Sequence, residues 1–224
     1  MNPSQPALVL TVLGTDETLH LTDFQAVVAG YTGRDEDAVR HHIDELAAIG
    51  VPEPPEVPMF YTVAAESVTT APHIEVSGGD TSGEAEPVLV RHDGRWYLGI
   101  GSDHTDRERE TVDIGDSKRA CPKPVATHVV PVPDWDGLDW DATTMSSWVD
   151  GDAYQDGSLA KLRRPAGLVA LLGERGLDQE RDLVCFAGTV PLLTGTFVAG
   201  TTWHLRLALP DGRTLTHTYD AKKA

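Results

Sequence analysis

The dipeptide Asp93-Gly94 constrains the fold of this chain more than any other short feature of its sequence. Apolar runs flank it on both sides, Val88–Val90 before it and Trp96–Ile100 after it. A two-residue type I′ turn needs positive φ at both central positions, and Asp-Gly adopts that conformation readily. The pattern therefore predicts a β-hairpin whose register is set by the two-residue loop.

That register brings three carboxylates together. Glu84 lies directly across from Asp103, and Glu86 projects from the same face as Glu84, because side chains alternate along a strand. Like charges this close raise each other's pKa unless a cation lies between them. The three oxygen donors favour Mg²⁺ or Mn²⁺, with Ca²⁺ as a further candidate in a crystal, rather than zinc. Spacing alone leaves a second interpretation open, an exposed acidic strand edge, since one β-bulge would move Asp103 away.

An excess of acidic residues narrows the range of partners. The 224 residues include 18 Lys and Arg against 35 Asp and Glu, which gives a formal net charge of −17. That charge argues against a nucleic-acid groove or an anionic membrane surface as a partner. It is compatible with an enzyme that acts on small molecules and concentrates cations. We therefore expect neither nucleic acid nor membrane among the partners.

Three absences predict a cytoplasmic protein. The N-terminus lacks the basic and long apolar regions of a signal peptide. No run approaches the roughly 18 apolar residues that a membrane helix needs. Cys121 and Cys185 match no zinc-binding spacing, which predicts buried free thiols in a reducing compartment.

Short apolar runs bounded by Gly, Pro and Asp predict a β-dominated α+β protein with few short helices. Strands are expected at Leu8–Leu13, Phe24–Ala29, Met59–Val63, His73–Val76, Val129–Val132 and Leu183–Phe186, with a terminal hairpin of Thr201–Leu209 and Arg213–Tyr219. Helices are expected at Glu36–Ile49, capped by Asp35, and at Pro165–Leu172. The stretch Trp135–Asp141 is typical of a turn-rich surface segment. We predict one domain over residues 1–224, in which residues 1–60 form a smaller αβ portion.

The first helix carries a histidine within its apolar stripe. His42 lies between Val39 and Leu46 on the helical wheel, and Glu45 can contact it at i, i+3 spacing. A half-buried histidine with a solvent-exposed partner would give the same pattern as an acid–base pair.

Four motifs follow one another between about Gly30 and Tyr219 in an order that resembles the fumarylacetoacetate hydrolase superfamily, and within it a bacterial branch of unknown function. They are Gly33-Arg34 followed by His42-Ile43-Asp44-Glu45, then Glu84-Ala85-Glu86, then Asp103 with Arg107 and Lys118, and finally Gly188-Thr189-Val190-Pro191 before the terminal hairpin. The chain departs from the superfamily pattern at Pro87, at His104 and Asp106, and at Val190, which is inserted into the usual Gly-Thr-Pro turn.

The resemblance implies a fold and a set of roles. The fold is a mixed β-sandwich or β-roll that forms a homodimer. The roles are a metal held by Glu84, Glu86 and Asp103, a substrate pocket with Lys118, Arg107, Gly188 and Thr189, and an acid–base pair of His42 and Glu45 on a mobile lid helix. Lys118 would bind a substrate carboxylate or neutralise the enolate as a catalytic residue, or else be a surface lysine. Arg107 is expected to be an ion-pair partner that organises the charged loop rather than a catalyst. Thr189 would offer its hydroxyl and amide to a carboxylate, or else stabilise the turn.

A site of this kind suits a small keto acid or diketo acid, because two neighbouring oxygens can chelate a metal that stabilises an enolate. The leading hypothesis is a divalent-metal-dependent hydrolase that cleaves a C–C bond in an acylpyruvate-like substrate. One alternative is a lyase or isomerase at the same site, such as a keto-acid decarboxylase, dehydratase or tautomerase. A second alternative is an inactive domain that binds a small acid or a partner protein.

Overall fold

The computed structural model describes residues 8–48, 52–177 and 181–224, and only the backbone at positions 42 and 46. Seventeen strands lie in these ranges: β1 Leu8–Val12, β2 Thr18–Leu21, β3 Phe24–Gly30, β4 Met59–Val63, β5 Val68–Thr69, β6 His73–Val76, β7 Thr81–Ser82, β8 Ala85–His92, β9 Arg95–Ser102, β10 Thr105–Asp106, β11 Lys123–Pro124, β12 His128–Pro131, β13 Thr144–Val149, β14 Asp152–Ser158, β15 Asp182–Phe186, β16 Thr202–Ala208 and β17 Thr214–Lys223. The α-helices of the same ranges are α1 Glu36–Ala48, α2 Arg107–Glu110, α3 Ile114–Arg119 and α4 Pro165–Glu174, and Ala65–Ser67 and Leu159–Lys161 are 3₁₀ turns. The predicted β-dominated α+β class is confirmed.

Two large sheets build the described part of the chain. The first has eight strands in the order β2-β1-β12-β9-β8-β15-β3-β4, and the second has five in the order β14-β13-β16-β17-β6. Antiparallel pairing dominates, with parallel contacts where β1 meets β12, β15 meets β3 and β17 meets β6. Two short pairs, β7 with β10 and β5 with β11, complete the strand pairing. Within these ranges, no helix has the length and apolar character needed to cross a bilayer.

The predicted hairpin forms in the predicted register. Asp93 and Gly94 have φ of 49° and 75°, as a type I′ turn requires. Strands β8 and β9 pair without a break from the turn outward to Ala85 and Ser102. Beyond the ladder, the amide of Asp103 donates to the carbonyl of Glu84 at 3.0 Å, so these two residues face each other.

Both faces of the β8–β9 hairpin are buried along most of its length. Leu89, Leu98 and Ile100 belong to the core shared with the five-stranded sheet, where Trp203, Leu205 and Leu207 of β16 also lie. The alternate residues of β8, Val88 and Val90, face a second core on the other side. A strand covered on both faces reads as an unbroken apolar run, which is why the sequence around Asp93-Gly94 was so informative.

Helix α1 begins at the predicted residue. The carboxylate of Asp35 accepts from the amide of Ala38 at 3.1 Å, which satisfies one of the free donors of the first turn. The end predicted at Ile49 lies outside the described residues. Helix α4 begins at Pro165 as predicted and continues to Glu174.

The stretch Trp135–Asp141 differs from its prediction. Trp135 and Trp140 are buried in the shared core, with 9% and 1% of their surfaces exposed. The turns are present, but the two large rings between them supply apolar area that the core needs. Charged neighbours in the sequence concealed this, because burial depends on partners that are distant along the chain.

Candidate functional site

The three predicted metal ligands meet at the open end of the β8–β9 hairpin. Glu86 lies in β8 with 3% of its surface exposed, and Asp103 follows β9 with none exposed. Glu84 precedes β8 and stays partly accessible. Burial raises the pKa of Glu86 well above its ordinary value, and the charge of Asp103 raises it further. The charge of Lys118 and the amide of Gly188 oppose this rise only in part.

Cations compensate the other two carboxylates. The ammonium of Lys118 contacts Oδ2 of Asp103, and Lys123 Nζ lies 3.2 Å from Oδ1. Arg107 places Nη2 at 3.0 Å from Glu84 Oε2. Although burial opposes ionisation of Asp103, the two lysines hold its pKa below the ordinary value. Burial also opposes the charge on Lys118, but Asp103 and Glu86 raise its pKa, so this lysine stays protonated.

The donor set suits a hard divalent cation, as three carboxylates provide oxygen ligands and Glu86 has no cation of its own. Oδ1 of Asp103 is also buried without a well-formed hydrogen bond, despite the nearby lysine. Among the described residues, the three side chains whose potential ligand atoms all lie within 4.8 Å of one another are not these carboxylates. They are His92, Asp93 and Asp182. The oxygens of the predicted ligands are instead engaged by Arg107, Lys118 and a backbone amide.

The His92 group has a structural role that its contacts explain. Nδ1 of His92 lies 2.6 Å from Asp182 Oδ2, and the amide of Asp93 donates to Asp182 Oδ1 at 3.1 Å. These bonds tie the hairpin turn to the beginning of β15. The group lies at the other end of the hairpin from Glu84 and Glu86.

A cavity of about 720 Å³ opens beside the carboxylates. Glu84, Glu86 and Lys118 lie in its wall, together with the first turn of α1. Tyr31 also lines it and has φ of 58°, which is unusual for a bulky residue and typical of functional loops. The structure therefore brings five of the predicted site residues into one concave surface of a size that holds small ligands, namely Glu84, Glu86, Lys118, Gly188 and Thr189.

The Gly188-Thr189 turn belongs to the same wall. The amide of Gly188 donates to Glu86 Oε2 at 2.8 Å. Gly188 has φ of 101°, and a Cβ there would come within 1.7 Å of Thr32 Oγ1, so only glycine fits. Thr189 donates its hydroxyl to the carbonyl of Ala85 at 2.9 Å. Its side chain thus anchors the strand between the two glutamates, while the residue faces the cavity.

Arg107 is held on several sides. Its guanidinium pairs with Glu110 at 2.8 Å as well as with Glu84, and Nε donates to Ser82 Oγ at 2.7 Å. The ring of Phe197 covers the Arg107 guanidinium. These contacts agree with the interpretation of Arg107 as an ion-pair partner. Its contact with substrate stays a prediction.

The predicted acid–base pair of His42 and Glu45 is not tested by the described residues. Glu45 Oε1 lies 3.3 Å from Nε2 of His41, at i, i+4 spacing, and both side chains are mostly exposed. The side chain of His42 lies outside the described residues. Glu45 is not part of the cavity wall, although Asp35, Ala38 and Val39 of the same helical segment are. The roles of His42 and Glu45 stay predictions.

Sequence reasoning missed Gln155, which connects the parts of the site. Its Oε1 accepts from the amide of Ala85 at 2.9 Å and from Ser147 at 2.8 Å. Its Nε2 donates to Thr189 Oγ1 at 2.6 Å and to the carbonyl of Val190 at 2.9 Å. A second Asp-Gly turn, at residues 150–151, precedes it and could have located the β13–β14 hairpin. Lys123, fully buried beside Asp103, gave no comparable signal.

Solved structures share this fold, among them a hydrolase and an isomerase. One is fumarylpyruvate hydrolase from Pseudomonas aeruginosa, in complex with Mn²⁺ and pyruvate, with a TM-score of 0.69 and 17% identity over 100% of this chain and 99% of that chain. The other is 5-carboxymethyl-2-hydroxymuconate delta-isomerase from Mycobacterium smegmatis, with a TM-score of 0.61 and 14% identity over 94% of this chain and 84% of that chain. The resemblance to the fumarylacetoacetate hydrolase superfamily is thereby confirmed for the fold.

Sequence comparison shows the family to which the chain belongs. No curated protein matches it significantly. The family model described as "Protein of unknown function (DUF2848)" matches residues 29–219, from the end of β3 into β17. That range includes every candidate site residue discussed above, and the chain belongs to the DUF2848 family.

Proposed function

We propose that this protein is a divalent-metal-dependent hydrolase that cleaves a C–C bond in a small 2,4-dioxo acid of the acylpyruvate kind. The observation that carries the proposal is the convergence of Glu84, Glu86 and Asp103 with Lys118 beside one cavity of about 720 Å³. A protein of the same fold has been solved with Mn²⁺ and pyruvate, which supports a metal and a 2-oxo acid as the ligands.

In this proposal Glu84, Glu86 and Asp103 hold Mg²⁺ or Mn²⁺. When bound, the metal supplies Lewis-acid polarisation of the oxo groups of the substrate. Glu84 and Asp103 then share their oxygens between the metal and their present partners, Arg107 and Lys118. Gly188 keeps Glu86 oriented by donating to one of its oxygens.

Lys118 is the cation that faces the substrate. It stays protonated in a buried position, so it can pair with the substrate carboxylate and with the negative charge that develops as the bond breaks. The reaction consumes one water. Its hydroxyl joins the acyl carbon, the bond to the methylene carbon breaks, and that carbon keeps the electron pair and takes a proton. The products are a carboxylic acid and a 2-oxo acid such as pyruvate.

His42 is proposed as the base that takes the proton from water, with Glu45 as its partner. The first turn of α1 already lines the cavity, and His42 lies farther along the same helix. In this proposal α1 closes over the cavity and brings the pair to the substrate. From the resemblance alone, we also propose a homodimer, which sedimentation analysis at several concentrations would test.

Thermal unfolding of metal-stripped protein gives the direct test. Mn²⁺ or Mg²⁺ should raise the Tm of the wild type, because a ligand that binds only the folded state stabilises it. Glu86→Ala should abolish the shift, whereas Glu75→Ala, which removes an exposed carboxylate from β6, should retain it. The metal-loaded wild type should convert acetylpyruvate to acetate and pyruvate. A wild type without a metal-dependent Tm shift, or an equal shift in Glu86→Ala, would refute the proposal.

One observation favours a second candidate, a lyase or isomerase at the same site. A protein of the same fold is 5-carboxymethyl-2-hydroxymuconate delta-isomerase, an isomerase. A decarboxylase or tautomerase needs no water. Product analysis in ¹⁸O-labelled water separates the two, since only hydrolysis places the label in the carboxylic acid product. Conversion of oxaloacetate to pyruvate without cleavage of acetylpyruvate would favour the lyase.

A further inference from the structure

We infer that the cavity selects a 2-oxo acid with an apolar alkyl or aryl arm over one whose arm ends in a second carboxylate. This inference rests on the proposed function, which places the 2-oxo acid group beside Glu84, Glu86 and Lys118. It adds the chemical nature of the rest of the substrate, and it follows from the other residues of the cavity wall.

The cavity is larger than a 2-oxo acid group alone requires. Its volume of about 720 Å³ falls within the range of roughly 300–1,000 Å³ found for pockets that enclose drug-sized ligands. A pyruvate-sized group at the carboxylates occupies a small part of that volume. The remaining space must hold an arm, and its walls determine which arm is favoured.

The rest of the wall is mainly apolar. It includes Ala29, Ala38, Val39, Ile114, Leu162 and Pro191. The rings of Tyr31 and Tyr61 complete it, and burial raises the pKa of both phenols, so they stay neutral. An alkyl or aryl arm removed from water by these groups gains free energy in proportion to its apolar area.

Three charged groups of the wall, Arg34, Glu110 and Lys118, are already paired. Arg34 forms two contacts with Asp141, of 3.0 and 2.7 Å, and donates Nε to the carbonyl of Leu162. Glu110 is paired with Arg107, and Lys118 with Asp103. A buried second carboxylate would need an uncommitted cation, because an unpaired charge is costly to bury.

Lys161 is the cation of the described wall that forms no ion pair with other described residues, and it is exposed. A solvated lysine at the rim binds a carboxylate weakly, without the two-point geometry that arginine offers. The alternative to be tested is therefore that Lys161 binds the second carboxylate of an acidic arm.

Two acids of equal length that cannot be cleaved test the inference by binding alone. Metal-loaded protein is titrated with 2-oxooctanoate and with 2-oxooctanedioate while the Tm is followed. We expect 2-oxooctanoate to bind at least about tenfold more tightly, the size of discrimination that a few methylenes or one unpaired charge provides. Equal or tighter binding of the diacid would overturn the inference, as would binding of neither acid by a protein that still cleaves acetylpyruvate. A missing response to the metal itself would instead refute the proposed function.

Variants of the wall give the matched control. Ile114→Lys adds a charge to the apolar wall at the beginning of α3 and should weaken 2-oxooctanoate binding at least about fivefold. Val112→Lys adds the same charge two residues away, at a side chain that is 77% exposed and outside the wall, and should change binding less than about twofold. Equal effects of the two variants would count against the inference. Selective loss of diacid binding in Lys161→Ala, in a protein that prefers the diacid, would establish the alternative.

Discussion

Two hairpins of this molecule turn on the same dipeptide, Asp93-Gly94 between β8 and β9 and Asp150-Gly151 between β13 and β14. Their backbone angles agree, with φ of 49° and 75° in the first turn and 51° and 95° in the second. Their surroundings differ. Strands β8 and β9 are central in the eight-stranded sheet, whereas β14 is an edge strand of the five-stranded sheet. Burial alternates along β13 but is continuous along most of β8.

The difference shows how one turn serves two purposes. The first hairpin carries the acidic groups of the candidate site itself, Glu86 within β8 and Glu84 and Asp103 just beyond the paired strands. The second hairpin contributes Gln155, which reaches the backbone of Ala85 from the neighbouring sheet. The acidic side chains of the candidate site and the residue that holds their strand in place therefore come from separate hairpins. A few buried hydrogen bonds join the two hairpins.

The largest effect is expected from Gln155→Leu. The change leaves the amide of Ala85 buried without this partner. It also removes the bonds to Ser147, to Thr189 and to the carbonyl of Val190. At about 1–3 kcal/mol for each unsatisfied group, the free energy of unfolding should fall by at least about 3 kcal/mol. Urea denaturation measures the loss.

The same variant should also diminish the Tm increase produced by Mn²⁺, because the strand between Glu84 and Glu86 loses its anchor. Gln25→Leu, at a half-buried position of β3 that is remote from these bonds, is the matched control and should keep that increase. If Gln155→Leu lost stability but bound Mn²⁺ as the wild type does, the second hairpin would support the fold without supporting the site.

Sequence reasoning recovered the first hairpin and missed the second for a physical reason. Continuous burial made the residues beside Asp93-Gly94 visibly apolar, whereas β13 and β14 mix polar and apolar residues around a register shift at Ser147 and Trp148. The convergence of Glu84 and Asp103 could be predicted because it depends on the local register. The role of Gln155 could not, because its contacts to Ala85 and Thr189 join residues that are 70 and 34 positions apart.

Lowering the pH should weaken the sheet of the second hairpin. His217 in β17 is buried, its Nε2 has no hydrogen-bond partner among the described residues, and burial with repulsion from His204 lowers its pKa to about 4. Its ordinary value is about 6.5, so between these values the unfolded chain binds a proton that the folded protein does not. Stability should be full above pH 6.5 and fall as the pH approaches 4, by up to about 3 kcal/mol.

Urea unfolding at a series of pH values measures this loss, and His217→Gln is the comparison, because it removes the titrating group from the same position. The variant should lose less stability than the wild type between pH 6.5 and 4. Parallel pH profiles for the wild type and His217→Gln would show that the acid sensitivity arises elsewhere.

The smallest effect compares the two turns directly. Gly94→Ala and Gly151→Ala each place a Cβ on a backbone with positive φ, which costs about 1–2 kcal/mol. Neither Cβ meets another atom within 4 Å, so the conformational cost should be the whole effect and should be nearly equal in the two variants. Urea denaturation of both against the wild type makes the comparison. A much larger loss in Gly94→Ala would mean that the first turn also holds the register of β8 and β9, since a slip would separate Glu84 from Asp103. The metal-dependent Tm shift would then disappear in that variant while Gly151→Ala kept it, which would place the control of the site in the turn rather than in the buried strands.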